Sequence, residues 1–82
     1  MKKILFFHSL TCPPCRFCER ETIDKLEGVD IEKVDVMKDW KRAEKHDIKK
    51  LPTTIIFDGK NGISRVEGSI SLEELEKRLR GE

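Results

Sequence analysis

The longest uninterrupted apolar run in this chain is Ile4-Leu5-Phe6-Phe7. That is far short of the ~20 residues a helix needs to cross a bilayer. It is also shorter than the roughly 7–15 apolar residues of a secretory signal, so the run after Met1-Lys2-Lys3 reads as a buried strand. Charge of one sign is lacking too. The 17 basic and 16 acidic residues are interspersed and leave a net +1. A nucleic-acid binder needs a basic face to neutralise phosphates, and none is present. Cysteine is scarce and odd in number, at 3 residues. That excludes a disulfide-stapled secreted scaffold and fits a cytoplasmic protein with one working dithiol. Linkers, repeats and low-complexity tracts are absent as well. The expectation is one domain over residues 1–82, acting as a monomer without membrane or nucleic-acid partners.

What is present is concentrated. Apolar residues make up 37% of the chain against 40% charged, and they fall into short clusters, which marks a folded domain. Lys3 to His8 reads as a strand covered on both faces, because its apolar residues are consecutive. Cys15 to Leu26 reads as a helix with Phe17, Ile23 and Leu26 as its buried stripe, closed by Gly28 as C-cap. Ile31 to Val36 alternates as a second strand, and strand–helix–strand in so few residues makes a parallel βαβ unit. Asp39 to His46 reads as a short helix with Trp40 packed, and Thr53 to Phe57 as a buried β-branched strand. The turn residues Asp58-Gly59-Lys60-Asn61-Gly62 predict a hairpin into Ile63 to Val66. Ser71 and Glu74 form a capping box for a last helix striped by Leu72, Leu75 and Leu79. The fold class is α/β, in the order β-α-β-α-β-β-α.

Between the first strand and the first helix lies Cys12-Pro13-Pro14-Cys15. Two thiols three residues apart at a helix start can close a small disulfide ring with little backbone movement. The helix N-terminus supplies unpaired N–H groups and a positive dipole end, which stabilise a thiolate. The thiolate is the nucleophile, so Cys12, at the exposed end, is the expected attacking residue and Cys15 the resolving one. Proline is tolerated there because a missing N–H in the first turn costs nothing. Zinc sites use the same spacing, and Cys18 extends it to C-x2-C-x2-C, which keeps a metal or iron–sulfur module among the alternatives. No fourth cysteine exists and Cys18 falls on the helix, so it reads as a small apolar filler, with an accessory redox thiol as the alternative.

The element order, with CxxC after the first strand and Leu51-Pro52-Thr53 before the third, resembles the thioredoxin superfamily in its minimal form. Thr11-Cys12-Pro13-Pro14-Cys15 is similar to the glutaredoxin motif. Ala43 to Thr53, the hairpin at Asp58 to Gly62, and Glu67-Gly68-Ser69-Ile70-Ser71 look like thioredoxin. The resemblance implies a four-stranded mixed sheet with helices on both faces. It also implies a cis Pro52 against the Cys12–Cys15 pair, and a substrate-docking surface of Pro13, Pro14, Leu51, Pro52 and Gly68. The implied activity is disulfide reduction in proteins by dithiol exchange. No bound cofactor is expected, and a thioredoxin reductase-like flavoprotein drawing on NADPH would recycle the disulfide. A glutathione-coupled glutaredoxin is the alternative, although Gly68 is not followed by the aspartate of a glutathione site. Thioredoxins carry a buried acid six residues before the first cysteine and a tryptophan just before it. Phe6 and Thr11 stand there, which leaves the proton acceptor open. His8 is a candidate because imidazole titrates near neutrality, or else a partly exposed strand end. Glu19 and Glu21 could accept a proton from Cys15, or be solvated charges. His46 reads as structural.

Overall fold

The computed structural model describes all residues, Met1–Glu82. Strand β1 spans Lys2–His8 and β2 spans Asp30–Asp35, with helix α1, Pro13–Glu21, between them. Helix α2 covers Trp40–Lys45, followed by β3, Thr53–Asp58, β4, Asn61–Glu67, and helix α3, Leu72–Leu79. The sheet order is β2-β1-β3-β4. β1 runs parallel to β2 and antiparallel to β3, which pairs antiparallel with β4. The expected element order and mixed sheet are both found.

Burial follows strand alternation on β1. Ile4 and Phe6 point to one face, where Cys18, Ile23, Ile56, Ile70 and Leu75 join them under α1 and α3. Leu5 and Phe7 point to the other, with Val34 and Ile55, against Ile48 and Leu51 from the segment after α2. Consecutive apolar residues on β1 therefore reflect cover on both faces, from α1 and α3 on one and from the segment after α2 on the other. Capping sets where helices begin. Asp39 accepts from the Arg42 N–H at 3.3 Å, and Ser71 from the Glu74 N–H at 3.1 Å.

Four expectations need correction. Helix α1 stops at Glu21 instead of Leu26, and a separate 3₁₀ turn, Ile23–Lys25, follows. Gly28 is therefore no C-cap of α1; its φ of +73° serves the turn into β2. Phe17 is 56% exposed, because the stripe facing the sheet is Cys15, Cys18 and Thr22, and Phe17 lies round the helix from it. Trp40 is 58% exposed at the first position of α2 and carries Lys41 over its ring. His46 is packed as expected, between Phe7 and Phe57.

Candidate active site

Strand register brings the functional segments to one end of the sheet. Phe7 on β1 stands level with Thr53 on β3, and Thr53 with Glu67 on β4. The loop leaving β1 toward Cys12, the Leu51-Pro52 segment entering β3, and Gly68 leaving β4 therefore share that end. Three stretches far apart in the chain meet because antiparallel pairing returns each strand to the same rim.

The loop from β1 to α1 is held by its own hydroxyls. Ser9 accepts from the Thr11 N–H at 3.3 Å, the two hydroxyls lie 3.2 Å apart, and the Cys12 N–H donates to the Ser9 carbonyl at 3.2 Å. Ser9 was not singled out in the sequence, though Ser-x-Thr before a helix is a turn signal that could have found it.

Cys12 is the N-cap of α1, with Pro13 and Pro14 in the first two helical positions. Neither proline has an N–H. The first free amide of the helix is that of Cys15, and it donates to Cys12 Sγ at 3.3 Å. The Arg16 amide is already engaged by the Cys12 carbonyl at 3.1 Å. One amide and the helix dipole are thus directed at the Cys12 sulfur. Cys12 and Cys15 are joined in a disulfide with Cα atoms 5.2 Å apart. Cys12 is half-buried and Cys15 fully buried, so an incoming thiol meets Cys12 first.

Cys18 is free, buried and within hydrogen-bonding distance of the Ile70 carbonyl, at 3.8 Å. Burial pushes its thiol above the ordinary value, outweighing the hydrogen bonds to Ile70 and Thr22. No three His, Cys, Asp or Glu side chains stand together as a metal-holding group.

The peptide bond from Leu51 to Pro52 is cis. Pro52 is buried, and its carbonyl accepts from the Gly68 N–H at 2.7 Å, which ties the segments entering β3 and leaving β4 together. Gly68 has φ +95°, a conformation that only glycine adopts readily. The backbone N–H and C=O of Leu51 take no main-chain partner, while its side chain packs against Phe7 and its neighbours. Pro13 and Pro14 are exposed. Beside Cys12 runs a shallow groove of about 520 Å³, lined by Leu10, Thr11, Pro13, Arg16, Phe17 and Arg20. Leu10 and Phe17 are its exposed apolar surface. A second groove, at His46, Phe57 and Ile63, lies toward the far end of the hairpin, away from the dithiol.

The candidate proton acceptors separate clearly. Glu19 bridges Lys33 at 2.8 Å and Arg16 at 3.3 Å, and Glu21 bridges Arg20 and Lys25 on the surface. His8 is not a partly exposed strand end. It is 7% exposed, its ring stacked on Phe6 at 5.7 Å.

A disulfide closed across a helix N-terminus, at the same end of the sheet as a buried cis proline and an unpaired backbone edge, defines a thiol–disulfide oxidoreductase. Residues 2–81 match the thioredoxin family, and the chain belongs to it. Among solved structures, thioredoxin-2, a component of malaria parasite protein secretion machinery, superposes with a TM-score of 0.94 at 26% identity, over 100% of this chain and 84% of that one. A malarial protein superposes at 0.91 with 27% identity, covering 99% of this chain and 96% of the other. Thioredoxin NaTrxh of Nicotiana alata gives 0.84 at 25% identity, over 98% and 71%. No curated protein matches the sequence.

Proposed function

We propose that this protein is a thioredoxin-type protein-disulfide reductase. Cys12 attacks a substrate disulfide and forms a mixed disulfide. Cys15 then attacks Cys12 Sγ, releases the substrate thiol and leaves the ring oxidised. The observation that carries this reading is the unpaired backbone of Leu51 at the dithiol end of the sheet. An extended protein segment can pair there by strand addition, which a small thiol does not require. Pro13, Pro14, Pro52 and Gly68 complete the docking surface. The protein itself needs no bound cofactor in this scheme. A thioredoxin reductase-like flavoprotein, drawing on NADPH, returns Cys12 and Cys15 to dithiols. We place the reaction in the cytoplasm, where a single dithiol can be kept reduced, and assign it to the monomer.

A glutathione-coupled reading rests on one feature, the glutaredoxin-like Thr11-Cys12-Pro13 sequence. Insulin reduction with NADPH and a thioredoxin reductase, set beside the same assay with glutathione and glutathione reductase, separates the two. Turnover with the flavoprotein is expected. Turnover with glutathione alone would overturn the assignment.

A further inference from the structure

The dithiol mechanism requires that the buried Cys15 thiol lose its proton before it can attack, and Phe6 occupies the place of the acid that thioredoxins use. The α1 face of the sheet carries one nitrogen able to take that proton. His8 follows Phe6 by two residues and shares its face, and its Nδ1 is buried without a hydrogen-bond partner. A buried polar atom left unpaired is uncommon and calls for a reason.

The pairing with Cys15 follows from the βαβ geometry. α1 returns antiparallel to β1, and Phe6 and Cys18 lie in one cluster. Moving from Phe6 to His8 advances ~6.6 Å along the strand. Moving back from Cys18 to Cys15 covers ~4.5 Å in the same direction along the helix. By these rises the turn of α1 that carries Cys15 lies over His8, although Nδ1 makes no hydrogen bond to either sulfur in the oxidised ring. Lys33, level with Phe6 on β2, bridges Glu19 of α1 at 2.8 Å, which confirms that α1 overlies this face.

We propose that His8 is the general base for resolution. Its imidazole takes the proton of the Cys15 thiol as Cys15 Sγ bonds to Cys12 Sγ. The bond from Cys12 to the substrate sulfur breaks, and the departing thiolate takes the proton back from the imidazolium. Two electrons pass from the dithiol to the substrate, and no other reactant enters. The other groups facing His8 are accounted for. Asp35 stands level with it on β2 and accepts from the Met37 N–H at 3.0 Å. Lys33 and Glu19 are paired with each other, and Cys18 is engaged by Ile70. Thr54 on β3 offers only a hydroxyl, and Ile70 and Leu75 from the α3 side are apolar.

This proposal rests on the dithiol reading, and its test separates the two. Reduced protein is mixed with an aromatic disulfide whose released thiolate is coloured. Attack by Cys12 releases the first thiolate in a bimolecular phase, and resolution by Cys15 the second in a unimolecular one. His8→Gln is expected to leave the first phase unchanged and slow the second by about 10²-fold. It should also change the pH profile of the second phase and leave that of the first as it is in the parent. An unchanged second phase, or equal loss in both phases, overturns the assignment to His8. Absence of a second phase in the parent would sink the dithiol mechanism itself. Should His8→Gln fail to fold, His8 titration followed by NMR in the reduced parent and in Cys15→Ser decides. A shift between the two is expected, and identical titrations overturn the proposal.

Discussion

On one face of the sheet, α1 and α3 bury Ile4, Phe6, Cys18, Ile23, Ile56, Ile70 and Leu75. On the other, α2 contributes no buried residue, and Leu5, Phe7, Val34 and Ile55 are covered mainly by partly exposed Val36, Ile48, Leu51 and Phe57. The thicker face holds Cys15 and Cys18, and the thinner face anchors the Leu51 side chain. The helix that carries Cys15 therefore rests on the thicker packing, whereas Leu51, in the proposed docking segment, is set on the lighter side. A nucleophile must keep its geometry to a fraction of an ångström, and a docking strand must accept many partners. The division of packing follows that division of labour.

The strongest way to break the comparison is at the dithiol. Cys12→Ser is expected to abolish insulin reduction, and Cys15→Ser to accumulate mixed disulfides that denaturing electrophoresis without reductant detects. Retained turnover in Cys12→Ser would remove the thick face's claim to the chemistry. Next in size is packing. Phe6→Ala should cost about 3–5 kcal/mol in urea unfolding, whereas Trp40→Ala on α2 should stay within about 0.5 kcal/mol. Equal costs would erase the difference between the faces.

Cys18→Ala sharpens the same comparison from within. Disulfide reduction should persist, with a loss of about 1 kcal/mol for the deleted buried sulfur. Loss of activity would make the three cysteines one functional unit.

Smaller still is the pH response of His46 on the thin face. Burial first, then the charges of Lys45, Arg42 and Arg65, hold its imidazole below the ordinary 6.5. The neutral ring is the one that packs. Its contribution is present above about pH 6.5 and declines as pH falls from there through the lowered pKa. Thermal unfolding across that window should show the decline, and His46→Phe should remove it.

The smallest effect belongs to the surface pairs. Arg42, then Lys3, hold Glu32 down to about 2, so this contribution is kept above about pH 4.5 and lost as pH falls toward 2. The Glu32 side chain is 41% exposed and screened by solvent, so Glu32→Gln at neutral pH should cost no more than about 1 kcal/mol and less in high salt.

The order of the elements and the Cys12–Cys15 pair were legible because period, caps and turn residues act within a few residues of one another. Phe17 and Trp40 were misread because both are apolar at helical spacing, and only the sheet decides which side of a helix is covered. The Ser9 turn is local, Ser-x-Thr before a helix, and so lies within reach of the sequence.

By itself the sequence determined which cysteines could form a ring, and that Pro13 and Pro14 are tolerated at the start of the helix behind them. The tertiary structure decided the rest of the site. The placing of Cys12, Pro52 and Gly68 at one end of the sheet depends on strand register, and register is a long-range property. The burial of His8 likewise follows from α1 folding back over β1, which no neighbouring residue dictates. Local free energies choose the elements, and only the burial of both sheet faces chooses how their ends come together.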